Sequence, residues 1–141
     1  MAERIFRKMA EKSGRIDISA LSASLSDMNG APADPKAFDL LEEKGFDGHG
    51  HKSRLLTEEM AAETDMILVM EQQHRDMIIE KYPDAAEKIF LLKPFSTSCT
   101  QPDINYNFMY NISDPHKRSS YHYRLCFAEI YMTIEGLIKC I

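Results

Sequence analysis

No apolar run in the 141 residues approaches the ~20 needed for a helix to cross a bilayer, so the sequence offers no membrane span. It also lacks basic excess: 17 Lys and Arg stand against 22 Asp and Glu, a formal charge of -5. Nucleic-acid binders usually carry a basic face, and that class is set aside. Cysteine is scarce and odd in number, at Cys99, Cys126 and Cys140, with no Cys-x-x-Cys spacing. Such usage is expected of reduced thiols in a cytoplasmic protein, most of them inert core packing. No internal repeat or low-complexity stretch is present, and the charged, amphipathic N-terminus is no signal peptide. A metal site has little support, because His49 and His51 make one close pair and no third ligand follows at a recognised spacing.

What is present fits one globular domain. Apolar residues make up 44% and charged residues 28%, enough for a real core at this length. Residues 1–12 are helical in pattern, with Ile5, Phe6 and Met9 on one face and Gly14 as a stop. Residues 15–22 alternate loosely through Ile16, Ile18 and Ala20 and read as a strand. Residues 24–33, with Asn29-Gly30, read as a loop. Asp34 is an N-cap with Pro35 at the first helical position; Ala37, Phe38, Leu40 and Leu41 supply the buried face, and Gly45 ends it.

Residues 50–74 organise the rest. Thr57 caps a short helix with Glu58 and Glu59 in its first turn. The run Met66-Ile67-Leu68-Val69-Met70 then suits a parallel strand covered on both faces. A helix follows at once, and open α/β sheets place ligands at such strand-to-helix edges. Residues 89–92 form a second apolar strand. Residues 93–113 have no period and are long for a loop, a length usually reserved for function or mobility. The last helix, from Ser119 or Ser120, carries a stripe of Phe127, Ile130, Tyr131, Ile134, Leu137, Ile138 and Ile141. Alternating strands and helices imply an α/β fold with a parallel sheet.

Several of these segments together are specific. GHKSRLLTEE followed by DMILVMEQQH resembles the middle of the low-molecular-weight protein tyrosine phosphatases. MAERIFRK resembles that family's first helix, GAPADPKAFDLLEEKGFD its second-helix segment, KIFLLKPF its last strand, and ISDP the loop of its general acid. The short loop 25–29 and the run HKRSSYHYRLCFAEIY are most similar to the bacterial subgroup, whose members typically act on tyrosine autokinases of capsule and exopolysaccharide export. The resemblance implies a three-layer α-β-α domain, a phosphotyrosine protein as partner, no cofactor and no membrane or nucleic-acid partner. It assigns Asp114 as general acid, Ser22 and His51 as braces of the phosphate loop, and His116 as a wall of the substrate cleft. Ser24 stands where the family has glycine, and Glu71 reads as an ordinary helix N-terminal acid.

The chemistry implied needs a thiolate to attack phosphorus, a loop of amides plus an arginine to hold the phosphoryl oxygens, and an acid for the leaving phenolate. In the family the first two share one Cys-x5-Arg loop. Here the sixth residue after Cys99 is Asn105, that after Cys126 is Met132, and Cys140 is one residue from the end. None fits. The resemblance places the start of the chain just after that loop, so the family's first strand and phosphate loop are missing. An arsenate reductase on the same fold would need the same cysteine and a resolving pair, neither of which is visible. The expectation is therefore a phosphatase-family chain inactive as given, or alternatively a non-catalytic module that binds a tyrosine kinase or a homologous subunit.

Losing a central strand removes roughly 8 to 10 backbone hydrogen bonds at about 1 kcal/mol each and uncovers apolar side chains worth roughly 1.5–3 kcal/mol apiece. That rivals the whole stability of a domain, about 5–15 kcal/mol. The 141-residue chain alone is expected to be marginal or to repair its sheet by strand exchange in a homo-oligomer. Urea melts should show a monomer below roughly 5 kcal/mol or a concentration-dependent transition; a cooperative monomer above that value would count against it.

Overall fold

In the computed structural model, which describes residues 1–101 and 108–141, the two apolar runs form the sheet. Ile67–Val69 (β1) and Ile89–Leu91 (β2) pair in parallel, with Ile67 opposite Ile89 and Val69 opposite Leu91. Around them, in chain order, lie helices α1 (Ala2–Lys12), α2 (Pro35–Glu43), α3 (Glu58–Glu63), α4 (Gln72–Lys81) and α5 (Ser120–Cys140). Short 3-10 turns occupy Pro83–Lys88, Lys93–Ser96 and Phe108–Tyr110.

The period-two alternation of a strand sorts the core into two halves. Met66, Leu68, Met70 and Phe90 pack against a cluster built from α1, α2 and α5, including Ile5, Leu41, Phe127 and Ile134. Ile67, Val69, Ile89 and Leu91 face the other way, into a cluster with Leu56, Ala61, Ile78 and Ala85. Helices therefore cover both faces of the strand pair, the expected three-layer α-β-α arrangement. The caps form as their residue types require. The Asp34 carboxylate accepts from the Lys36 amide at 3.0 Å, and the Thr57 hydroxyl from the Met60 amide at 3.2 Å. Gly14 and Gly45 end α1 and α2 with φ of +71° and +74°, a region cheap only for glycine.

Three expectations need correction. Residues 15–22 are not a strand. Ile16 is 95% exposed and Leu21 61%, and among the described residues no ladder runs alongside them. The Ile16 amide turns back to the Gly14 carbonyl and the Ser22 amide to Glu3; parallel pairing begins only at an isolated bridge between Ser24 and Leu55. Alternation gives a segment a face, but a strand also needs a neighbour to bond. The stripe of α5 is also rotated: Tyr131 and Ile141 are exposed, whereas Tyr123, Cys126 and Thr133 are buried. Thr133 can be buried because its hydroxyl donates to the Glu129 carbonyl at 2.7 Å.

The third correction concerns the thiols. Cys99 and Cys140 are joined in a disulfide across 41 residues of chain, and only Cys126 is free and buried. The bond follows from packing that the sequence hides. The Lys93–Ser96 turn lies directly on α5, which carries the segment after it to the end of that helix. Closing a loop of this length stabilises a fold by about 4 kcal/mol on the chain-entropy account. The expected long loop 93–113 is thus partly structured, with residues 102–107 outside the described residues. No helix among the described residues is long and apolar enough to cross a membrane.

The closest approach is at Gly136, where an added Cβ would stand 1.9 Å from the Phe95 carbonyl oxygen. Gly136→Ala should therefore lose about 1–3 kcal/mol in urea unfolding, although alanine is the better helix former. A neutral or stabilising result would show that α5 does not rest on that backbone.

Candidate functional site

Asp114 is positioned by contacts that reach far along the chain. Ile112 is almost wholly buried, and its amide donates to the Met70 carbonyl at 2.8 Å, at the carboxyl end of β1. The Asn111 side chain accepts from the Gln72 amide at 2.9 Å, capping α4 from 39 residues away. Glu71, next to that helix start, makes no cap and instead receives the Gln73 side-chain amide at 2.7 Å. Lys93 donates to the Asn111 carbonyl at 3.1 Å and pairs with Glu129 at 2.8 Å. Two residues beyond Ile112, Asp114 is exposed. Its carboxylate accepts from the His116 amide at 2.9 Å, a local turn that Lys117 completes at φ +61°.

Ser22 and His51 lie together elsewhere, in a depression of about 280 Å³ also lined by Glu3, Arg4, Asp34 and Ser53. The Ser22 amide donates to Glu3 at 2.9 Å and its hydroxyl bonds the same carboxylate. Glu3 in turn pairs with Arg7 at 2.9 Å. Arg4 donates to the His49 carbonyl at 2.6 Å, but its Nε and the Ser53 hydroxyl are buried atoms with no hydrogen-bond partner among the described residues. His51 is half-buried. Burial pushes its imidazole below the usual value, and the amino terminus, Arg4 and Arg54 push it further against the opposing charge of Glu3. Neutral at pH 7, it can accept as well as donate a hydrogen bond.

Asp34 links the two groups. It lines the depression, and its carboxylate lies 3.6 Å from His116 Nδ1 in the Asp114 loop. Burial raises its carboxyl, but hydrogen bonds from the Tyr123 hydroxyl and the amides of Ala37 and Lys36 outweigh that and hold it low, with His116 helping. Tyr123 is correspondingly pushed up to about 12, by burial and then by Asp34. The sequence reading took Asp34 for a helix cap alone and missed Arg4, Ser53, Asn111, Lys93 and Tyr123. Asp34 gave a cap signal, but nothing in the sequence marks a second use of its other oxygen. Asn111 gave none, because its contact crosses 39 residues.

No thiol in the chain is set up to attack. Burial pushes the Cys126 thiol up to about 11, and the other two sulfurs are bonded to each other. A further cluster, Glu42, Asp47 and His49, brings three ligand atoms within 4.8 Å of one another. All three residues are exposed, and both carboxylates already accept loop amides, from Gly48 and His49, each at 2.8 Å. His51 takes no part in it.

A parallel strand pair covered by helices on both faces, with a loop anchored at the carboxyl end of a strand, is the frame on which open α/β proteins place their ligand sites. The family model for low molecular weight phosphotyrosine protein phosphatase matches residues 1–141, and the chain belongs to that family. It is 33% identical over 97 residues to a protein-arginine-phosphatase of Bacillus subtilis, covering 69% of this chain and 63% of that protein. It is 32% identical over 115 residues to the probable low molecular weight protein-tyrosine-phosphatase AmsI of Erwinia amylovora, covering 82% and 69%. The crystal structure of a low molecular weight protein tyrosine phosphatase from T. tengcongensis superposes with a TM-score of 0.85 at 28% identity, over 99% of this chain and 88% of that one. The chain thus spans less than two thirds of the Bacillus relative's length.

The lowered pKa of His51 has a readable consequence. A group whose folded value lies below its unfolded one contributes stability above the unfolded value, near 6.5, and loses it as pH falls through the folded value. In NMR titrations His51 should protonate below the value of an unstructured histidine, near 6.5, and His51→Gln should flatten the fall in urea midpoint between about pH 7 and 5. Titration of His51 at or above about 6.5 would contradict the burial argument.

Proposed function

We propose that this chain carries the leaving-group half of a protein-tyrosine phosphatase. Asp114 is the general acid that protonates the departing phenolate, His116 walls the substrate cleft, and Ser22 and His51 brace a phosphate loop from behind. The observation that carries this reading is the anchoring of the Asp114 loop, through Ile112 to Met70 and through Asn111 to the start of α4. An acid must be held within hydrogen-bond reach of the leaving oxygen, and two long-range anchors on the loop that carries Asp114 support that role. The family match supports the assignment. These 141 residues contain no Cys-x5-Arg, so the reading assigns them no nucleophile and no phosphate-binding arginine.

The substrate is a phosphotyrosine protein, with a bacterial tyrosine autokinase of exopolysaccharide export as the partner on the subgroup resemblance, and the setting is cytoplasmic. The similarity to a protein-arginine-phosphatase favours one second reading of the substrate, phosphoarginine, since the same loop chemistry would serve either leaving group. A non-catalytic module that binds a kinase or a homologous subunit, its sheet completed by strand exchange, is the alternative if the native protein contains nothing further.

The purified 141-residue chain should not hydrolyse an aryl phosphate, and mass spectrometry of the native N-terminal peptide should find a longer chain with the Cys-x5-Arg loop. In that longer protein Asp114→Asn should lower kcat by about 10²–10⁴-fold, more for poor leaving groups than for good ones. Turnover by the 141-residue chain that disappears in Asp114→Asn would mean that a nucleophile lies within it. A native start at Met1 would leave the binding module.

A further inference from the structure

We propose that the Cys99–Cys140 disulfide is a redox latch that holds the side chain of Gln101 against the outer edge of β2. The inference is independent of the phosphatase reading. It starts from the direction of backbone groups in a parallel strand, where successive residues point their amides to opposite sides. The Leu92 amide donates to the Val69 carbonyl at 2.9 Å, so the even-numbered residues of this strand face β1. Leu91, one residue earlier, directs its N–H and C=O away from β1. Both are taken by a single side chain: the Leu91 amide donates to Gln101 Oε1 at 3.1 Å, and Gln101 Nε2 donates to the Leu91 carbonyl at 3.2 Å. The primary amide imitates the peptide of one more strand, and it closes an edge that would otherwise offer itself for pairing.

Among the described residues little else holds Gln101 there. The amides of Thr97 and Ser98 donate to the Pro94 carbonyl, and the Ser98 hydroxyl meets the amide and hydroxyl of Thr100. These bonds stay within a few residues. Among the described residues, the stretch 97–101 has two ties to distant parts of the chain, the Gln101 clamp and the disulfide to the end of α5. A single residue, Thr100, separates the latch from the clamp. Breaking the first leaves the second to oppose the conformational entropy of the stretch by itself.

Cys99 is exposed, so a small dithiol reaches its sulfur. A thiolate of the dithiol attacks Cys99 Sγ, forms a mixed disulfide with it and releases Cys140 as a thiolate. The second thiol then attacks that mixed disulfide, closes a cyclic disulfide and releases Cys99. Two electrons and two protons pass from the dithiol to Cys99 and Cys140, which end as two thiols. In a compartment kept reducing by such dithiols the latch rests open, and exchange with a small-molecule disulfide, which takes up the two electrons and two protons as its own thiols, closes it.

Amide hydrogen exchange on the full chain, followed by NMR with and without dithiothreitol, tests the latch. Reduction should speed exchange at Leu91 by about tenfold, the loss of one buried hydrogen bond, while Val69, inside the β1–β2 ladder, stays within about twofold. Gln101→Ala in the oxidised protein should give the same local signature, and Cys99→Ser should reproduce it without reductant. Should Cys99→Ser not fold, the reduced wild-type chain carries the test. Unchanged Leu91 exchange after reduction overturns the proposal. So does parallel acceleration at Leu91 and Val69, because the disulfide would then be a global staple with no particular hold on Gln101.

Discussion

The seat of α5 on the backbone of Phe95 is the contact on which the rest depends. It exists because residue 136 has no side chain: the Phe95 carbonyl occupies the place of a Cβ. From that seat three things follow. The helix presents Ile130, Ile134 and Leu137 to the core shared with α1 and α2. It places Glu129 where Lys93 can pair with it and reach the Asn111 carbonyl, which steadies the approach to Asp114. It also brings Cys140 to Cys99. Core, acid loop and latch are thus set by the fit of one helix on one turn. Close-packed interiors transmit a shift at such a point to whatever rests on it.

Elements with strong local signals were legible in the sequence, and elements that need a partner were not. The caps at Asp34 and Thr57 and the apolar runs of β1 and β2 were readable because their causes lie within a few residues. Residues 15–22 have the alternation of a strand without a ladder alongside, so the pattern misled. The stripe of α5 was displaced because Tyr131 looks apolar but lies at the rim, whereas Thr133 looks polar but satisfies itself on the preceding turn. The disulfide was invisible because cysteine spacing carries no information about which distant turns meet.

The candidate site divides along the same line. Asp114, His116, Ser22 and His51 could be named from a resemblance. What joins them is Asp34, whose one residue type serves two ends: it caps α2 with two amides and faces His116 with its other oxygen. The Tyr123 hydroxyl on the same carboxylate explains why an aspartate can remain ionised in a partly dry setting, since each donor offsets part of the desolvation that burial imposes. Removing that carboxylate would loosen the start of α2 and the His116 loop together.

The anchoring of the acid loop also bears on what this half-site can be kept for. Its bonds run to β1, to α4 and, through Lys93, to α5. The Asp114 loop is thus held by elements of the core. The depression at Ser22 and His51 differs, because two buried polar atoms of its lining residues, Arg4 Nε and Ser53 Oγ, have no hydrogen-bond partner among the described residues. A buried donor without an acceptor costs about 1–3 kcal/mol, and such atoms are the exception in folded proteins. Polar groups entering this hollow would offset that cost, whereas the Asp114 loop is tied down by bonds to the core.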